Sequence, residues 1–185
     1  MTADGGFLIA DTGNNVVRKV SAGGVITRVA GTGEDGDDGD GGAATAAQVW
    51  LPIDVAVTPD GGFLIAEYVS SVVRKVSADG VITRIAGTGT AGPDGDGGPA
   101  TAAQLGTPRC VAPTPDGGFL IADTGNQVVR RVSPDGVITR VAGTADVAAG
   151  GRSDEISLLT CSIRCPRGDS NTYSWHTCTE QVFMR

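Results

Sequence analysis

The sequence predicts an all-β chain folded as a partial, open β-propeller: about 2.75 four-stranded antiparallel blades. Three observations predict it. FLIADTGNNVVRKVSAGGVITRVAGTG from Phe7 returns from Phe63 with 20 of 27 positions identical, and again from Phe119, each start 56 residues after the last. Glycine makes up 29 of 185 residues, more than twice the usual share of ~7%, which implies many tight turns. Apolar residues also fall at both strand parities, as in Phe63-Leu64-Ile65 and Val72-Val73, so both faces of each sheet must be covered.

Within the middle unit, four short segments rich in Val, Ile, Phe and Thr read as strands: 53–58, 63–67, 72–77 and 81–86. Pro59-Asp60-Gly61-Gly62, Ala78-Asp79-Gly80 and Gly87-Thr88-Gly89 end three of them with turn chemistry. A parallel β-helix uses shorter coils without such hairpin turns, and a β-sandwich does not need near-identical units. The blades are expected at 1–33 (partial), 52–89 and 108–144, with a non-repeat, poorly ordered tail at 145–185. Met1 to Gly6 aligns with Val57 to Gly62, so the first blade starts at the end of its first strand. A fragment of a longer propeller is the expectation. The alternative is self-association through exposed blade edges: two chains closing one ring of about six blades, with 156–163 lending a strand.

PIDVAVTPDGGFLIAE from Pro52, followed by VVRKVS and GVITRIAGTG, resembles the NHL repeat. GDGGPATAAQL from Gly95 resembles the inter-blade linker of a bacterial and eukaryotic branch of that family, and the likeness runs from Met1 to about Thr144. The family's Asp-x-x-Asn turn appears as Asp11 with Asn14 and as Asp123 with Asn126, while the middle repeat departs with Glu67 and Ser70. The resemblance implies a propeller, typically six-bladed, used most often as a binding platform. Fold alone does not give the activity.

Composition narrows the function classes. A net charge of −7 argues against a phosphate backbone as main partner, and no window reaches the ~18 apolar residues of a membrane span. The acidic linker holds Glu34 with Asp35, Asp37, Asp38 and Asp40, an oxygen-rich run that calcium could use. The twelfth position from Asp35 is Ala46, not the glutamate of an EF-hand, so a solvated turn-rich loop is the preferred reading and no cofactor is expected. Asp11, Asn14, Asp123 and Asn126 are read as turn residues that bond their own backbone and tolerate left-handed dihedrals.

Arg28, Arg84 and Arg140 recur in fourth strands, and Arg18-Lys19, Arg74-Lys75 and Arg130-Arg131 in third strands. Such a ring could hold RNA, but carboxylates outnumber it and no aromatics interleave for stacking; outer-edge charges that block edge pairing are preferred. In the tail, Cys161, Cys165, His176 and Cys178 match no common zinc spacing, and Arg167-Gly168-Asp169 is an adhesion tripeptide short enough to arise by chance. The inward first strands offer Ile53, Asp54, Val55, Cys110 and Val111, too few ligands for a metal cage.

The expected function is therefore non-catalytic: a propeller segment whose loops bind a protein or other macromolecule, with no membrane role and nucleic acid disfavoured. The alternatives are part of a metal-dependent lactonase- or lyase-like enzyme with its site in absent blades, and an RNA-binding propeller. Where the repeats disagree (Glu67 to Ser71, the acidic linker, the tail) is where a site is expected.

Overall fold

The computed structural model describes residues 1–143; the zinc, adhesion and strand-lending readings of the tail lie outside the described residues. Within them the chain is an open arc of three antiparallel sheets. The first sheet holds β1 (Phe7–Asp11), β2 (Val16–Val20) and β3 (Ile26–Ala30). The second holds β4 (Pro52–Val57), β5 (Phe63–Glu67), β6 (Val72–Val76) and β7 (Ile82–Ala86). The third holds β8 (Pro108–Pro113), β9 (Phe119–Asp123), β10 (Val128–Val132) and β11 (Ile138–Ala142). Each is a meander in which successive strands pair. This is the propeller-type architecture the repeat predicts. No helix among the described residues is long and apolar enough to cross a membrane.

Strand alternation explains why the blades stack. Along β5, Phe63 and Ile65 pack toward the first blade with Val17, Ala30 and Val76, whereas Leu64 and Ala66 pack toward the third with Val111, Phe119 and Ile121. Successive side chains point to opposite faces, so one five-residue strand serves two interfaces. Every residue of β5 is buried. The linkers enter the same cores: Ala44, Ala47 and Val49 join the first, and Ala100, Ala103 and Leu105 the second. Blade 1 shows what an uncovered face looks like, since Phe7 is 45% exposed where Phe63 and Phe119 are 9% and 7%.

Each linker is also stitched to both blades it joins. Gly31 donates its N–H to the Ala44 carbonyl, and Ala44 donates to Gly80 of the next blade, at 2.9 and 2.8 Å. Gly87 and Ala100 repeat this with Gly136. Gly87 has φ +91° and a Cβ there would lie 2.4 Å from the Ser71 carbonyl oxygen. Only glycine satisfies both limits, and Gly87→Ala is expected to destabilise the fold by at least ~1 kcal/mol in denaturant unfolding.

Candidate functional site

Arg74 and Arg130, at the centres of β6 and β10, are fully buried. A guanidinium carries five donors and is costly to bury unless they are met. The linker entering each blade meets them. Arg74 Nε donates to Asp40 Oδ1 at 3.0 Å, Nη1 to the Gln48 carbonyl at 2.6 Å and Nη2 to the Asp38 carbonyl at 3.4 Å. Arg130 does the same with Asp96, Gln104 and Asp94 at 3.0, 2.5 and 3.2 Å. These arginines are interblade clasps, and the reading of them as outer-edge charges is corrected.

The acidic linker changes meaning with them. Asp40 binds Arg74, Asp37 binds Arg84 at 2.9 Å, and Asp35 accepts from Asn15 Nδ2 at 2.7 Å. The linker is solvent-exposed, as expected, yet three of its carboxylates tie it down, Asp35 to blade 1 and Asp37 and Asp40 to blade 2. Asp38 contributes its backbone carbonyl. Among the described residues no cluster of His, Cys, Asp or Glu is disposed to hold a metal ion. Arg18, at the same repeat position in blade 1, pairs with Asp11 at 2.6 Å and stays 36% exposed.

The second carboxylate of each clasp comes from the end of the blade's second strand. Asp123 Oδ1 accepts the Gly106 N–H at 2.6 Å, and its Oδ2 accepts from Asn126 Nδ2 at 2.8 Å and Arg130 Nη1 at 3.4 Å. Asp11 accepts from Asn14 at 2.8 Å in blade 1. Asp11 and Asp123 therefore close their strands, Asn14 and Asn126 sit in the turns that follow, and each Asp accepts from its Asn. The left-handed position falls one residue later than the turn reading put it, at Asn15, Ser71 and Gln127, with φ of 53°, 51° and 58°.

Blade 2 replaces this pair with Glu67 and Ser70. Glu67 Oε2 accepts the Trp50 N–H at 3.0 Å, while Oε1 lies 3.6 Å from Arg74 Nη1 without a hydrogen bond. Ser70 Oγ is likewise buried and unbonded. Burial pushes the Glu67 carboxyl up to about 7, against the opposing pull of Arg74. Burial also raises Asp54 and Asp123, and Asp54 Oδ2 accepts the Val111 N–H at 2.9 Å.

A steric reason links these changes. A Cβ on Gly106 would meet Asn126 Oδ1 at 2.7 Å and its backbone N at 2.9 Å. In blade 2 the matching positions are Trp50 and Ser70, so the shorter side chain accompanies the larger one. Gly106→Ala is expected to cost about 1–3 kcal/mol through overpacking, with partial recovery in Gly106→Ala/Asn126→Ser. Chemical denaturation of the two variants checks this. Equal losses in both would show that the two positions are not coupled.

The exposed consequence of these departures is a rim where the linker ends meet the hairpins after the second strands. Tyr68 and Val69 stand where the other blades have Thr12-Gly13 and Thr124-Gly125. Tyr68 is tied down by its N–H bond to the Leu51 carbonyl at 3.1 Å. The inner strands β4 and β8 lie side by side, and each carries a bulge at the same place, between Pro52 and Asp54 and between Pro108 and Cys110. The skipped residues are Ile53 and Arg109. A bulge leaves its extra residue outside the ladder and re-aims the side chain. Ile53 is 37% exposed, Val69 40% exposed, and the Arg109 guanidinium lies 5.5 Å from the Tyr68 ring centroid.

Sequence reasoning singled out 67–71 but passed over Trp50 and Arg109. The aligned repeats carry the missing signal, since Trp50 faces Gly106 and Arg109 faces Ile53 in the alignment. At the opposite end of the blades, turn residues line a cavity of about 980 Å³ between Met1 and Pro115. Its Lys19 is paired with Asp4 at 2.7 Å, and most of its lining belongs to hairpins common to the blades.

No protein-family model matches the chain, and no curated protein does. Solved structures do. A protein of unknown function from Bacteroides thetaiotaomicron aligns at a TM-score of 0.61 and 24% identity, over 69% of this chain and 32% of its own. An auxiliary nutrient binding protein from Bacteroides ovatus aligns at 0.55 and 20%, over 74% and 35%. A streptogramin B lyase aligns at 0.53 and 13%, over 77% and 38%. The chain thus spans about a third of the length of these structures. At such identities the likeness establishes the propeller-type fold alone.

Proposed function

We propose that this chain is a non-catalytic interaction module, a propeller segment that binds a macromolecular partner through the rim of blades 2 and 3. One observation carries the reading. Four positions at which the near-identical repeats depart from one another (Trp50, Tyr68, Val69, Arg109) lie on one rim. Val69 and Arg109 are exposed there and Trp50 and Tyr68 partly so, whereas Arg74, Arg130, Glu67 and Asp123 at the heart of the clasps are buried. The NHL-like repeat, the Bacteroides ovatus neighbour described as nutrient binding and the net charge of −7 support a binding role with a partner other than nucleic acid.

The test replaces the rim by what the sister blades carry: Tyr68→Thr, Val69→Gly and Arg109→Ile together. Proteins captured from source cells by the wild-type chain are quantified against those captured by this variant. The reading expects one or more partners to fall at least ~10-fold, the scale of one hot-spot side chain. An unchanged set of captured proteins would falsify it.

A further inference from the structure

The rim has a chemistry that narrows its partner. Arg109 is exposed, and among the described residues it makes no ion pair. Arg18, Arg74, Arg84, Arg130 and Arg131 each meet a carboxylate; Arg28 and Arg140 do not, but among the described residues only Arg109 lies over an aromatic ring. Its guanidinium lies over Tyr68. The ring contact uses the charge of the cation and not its N–H donors, which stay able to grip a carboxylate in two-pronged fashion. Ile53 occupies the same bulge position on the neighbouring inner strand, and Val69 stands beside Tyr68 in the hairpin, so exposed apolar surface flanks the cation.

We infer that this rim docks an acidic peptide segment of a partner protein, with an Asp or Glu carboxylate on Arg109 and an adjacent apolar side chain against Tyr68, Val69 and Ile53. Charge complementarity selects the occupant. Arg109 meets no carboxylate among the described residues, so a carboxylate brought by a partner would complete it locally. The inference rests on the interaction-module reading and specifies its partner.

A displayed library of random 12-residue peptides, selected on the full chain, tests it. Enrichment is expected for an Asp or Glu next to Leu, Ile, Phe or Val. A synthetic peptide of the enriched sequence should bind Arg109→Ala at least ~10-fold more weakly, and Arg109→Lys should recover only part because ammonium lacks the planar fork. Raising salt should weaken the wild-type complex. Enrichment of basic or purely apolar peptides overturns the inference. So does an acidic peptide whose affinity Arg109→Ala leaves unchanged; in that case the module reading survives with its contact elsewhere. No enrichment over a library selected on bare support overturns the peptide inference alone, because folded-protein partners would still register in the capture experiment above.

Discussion

Arg74→Ala is expected to lower the free energy of unfolding by about 3–5 kcal/mol, the usual cost of removing one partner from a buried ion pair. The substitution strips a counter-charge from Glu67, which is fully buried, and from Asp40, and it leaves the carbonyls of Gln48 and Asp38 without their donor. Arg130→Ala should cost a similar amount, because Asp123, Asp96 and two linker carbonyls repeat the arrangement. Arg18→Ala should cost only about 0–1 kcal/mol, since its pair with Asp11 is open to water. The three side chains occupy one position of one repeat, so propensity and local strand context nearly cancel between them. Urea unfolding of the three variants checks the ordering. Equal losses at all three positions would mean that the linker contacts carry no weight.

The stability of the fold is expected to fall as pH rises from about 5 to about 7.5. Glu67 has a folded-state value raised from 4.5 to about 7, chiefly by burial. The folded state therefore binds this proton more tightly than the unfolded chain does. Its contribution is present in full below the unfolded value and is lost as pH climbs through the folded one, a span equivalent to about 3 kcal/mol. Glu67→Gln should remove that part of the slope while keeping most of the shape of the site. Asp54 and Asp123 are raised in the same direction, so a residual slope starting from their lower unfolded values should persist in the variant. Asp60 pulls the other way: Lys75 and Thr58 hold it down at about 2, so its contribution is present at neutral pH and is lost only in acid, below this window. Melting curves of wild type and Glu67→Gln across pH 5–8 decide the matter. Parallel profiles would show that Glu67 is ionised and compensated throughout.

Much of the architecture was legible because the same 56 residues are written out again and again. Strand number, hairpin positions and two-faced burial follow from local spacing, and the observed strands begin or end within a residue of those expected. The clasp was harder to read. Asp40 lies 34 residues before Arg74 in the chain, and nothing in either segment alone distinguishes a buried pair from two solvated charges. A pairing rule was nevertheless latent in the repeat, since Asp40 with Arg74 and Asp96 with Arg130 share one separation. The rim was half legible. Departures at 67–71 stood out within the hairpin, but Arg109 became visible only when a bulge turned it out of β8 toward Tyr68. A bulge depends on pairing between strands, which no single strand encodes.

The direction of the clasp has an evolutionary corollary. In both described linkers the clasp aspartate precedes its arginine by the same 34 residues, so a 56-residue cassette cut at any phase carries one half of a junction at its head and the matching half at its tail. In-frame duplication or loss of such a cassette recreates a junction already proven, with no new interface to be invented. Blade number can then drift by whole units while each boundary stays the same, leaving individual rim positions as the part of the surface that selection is free to diversify.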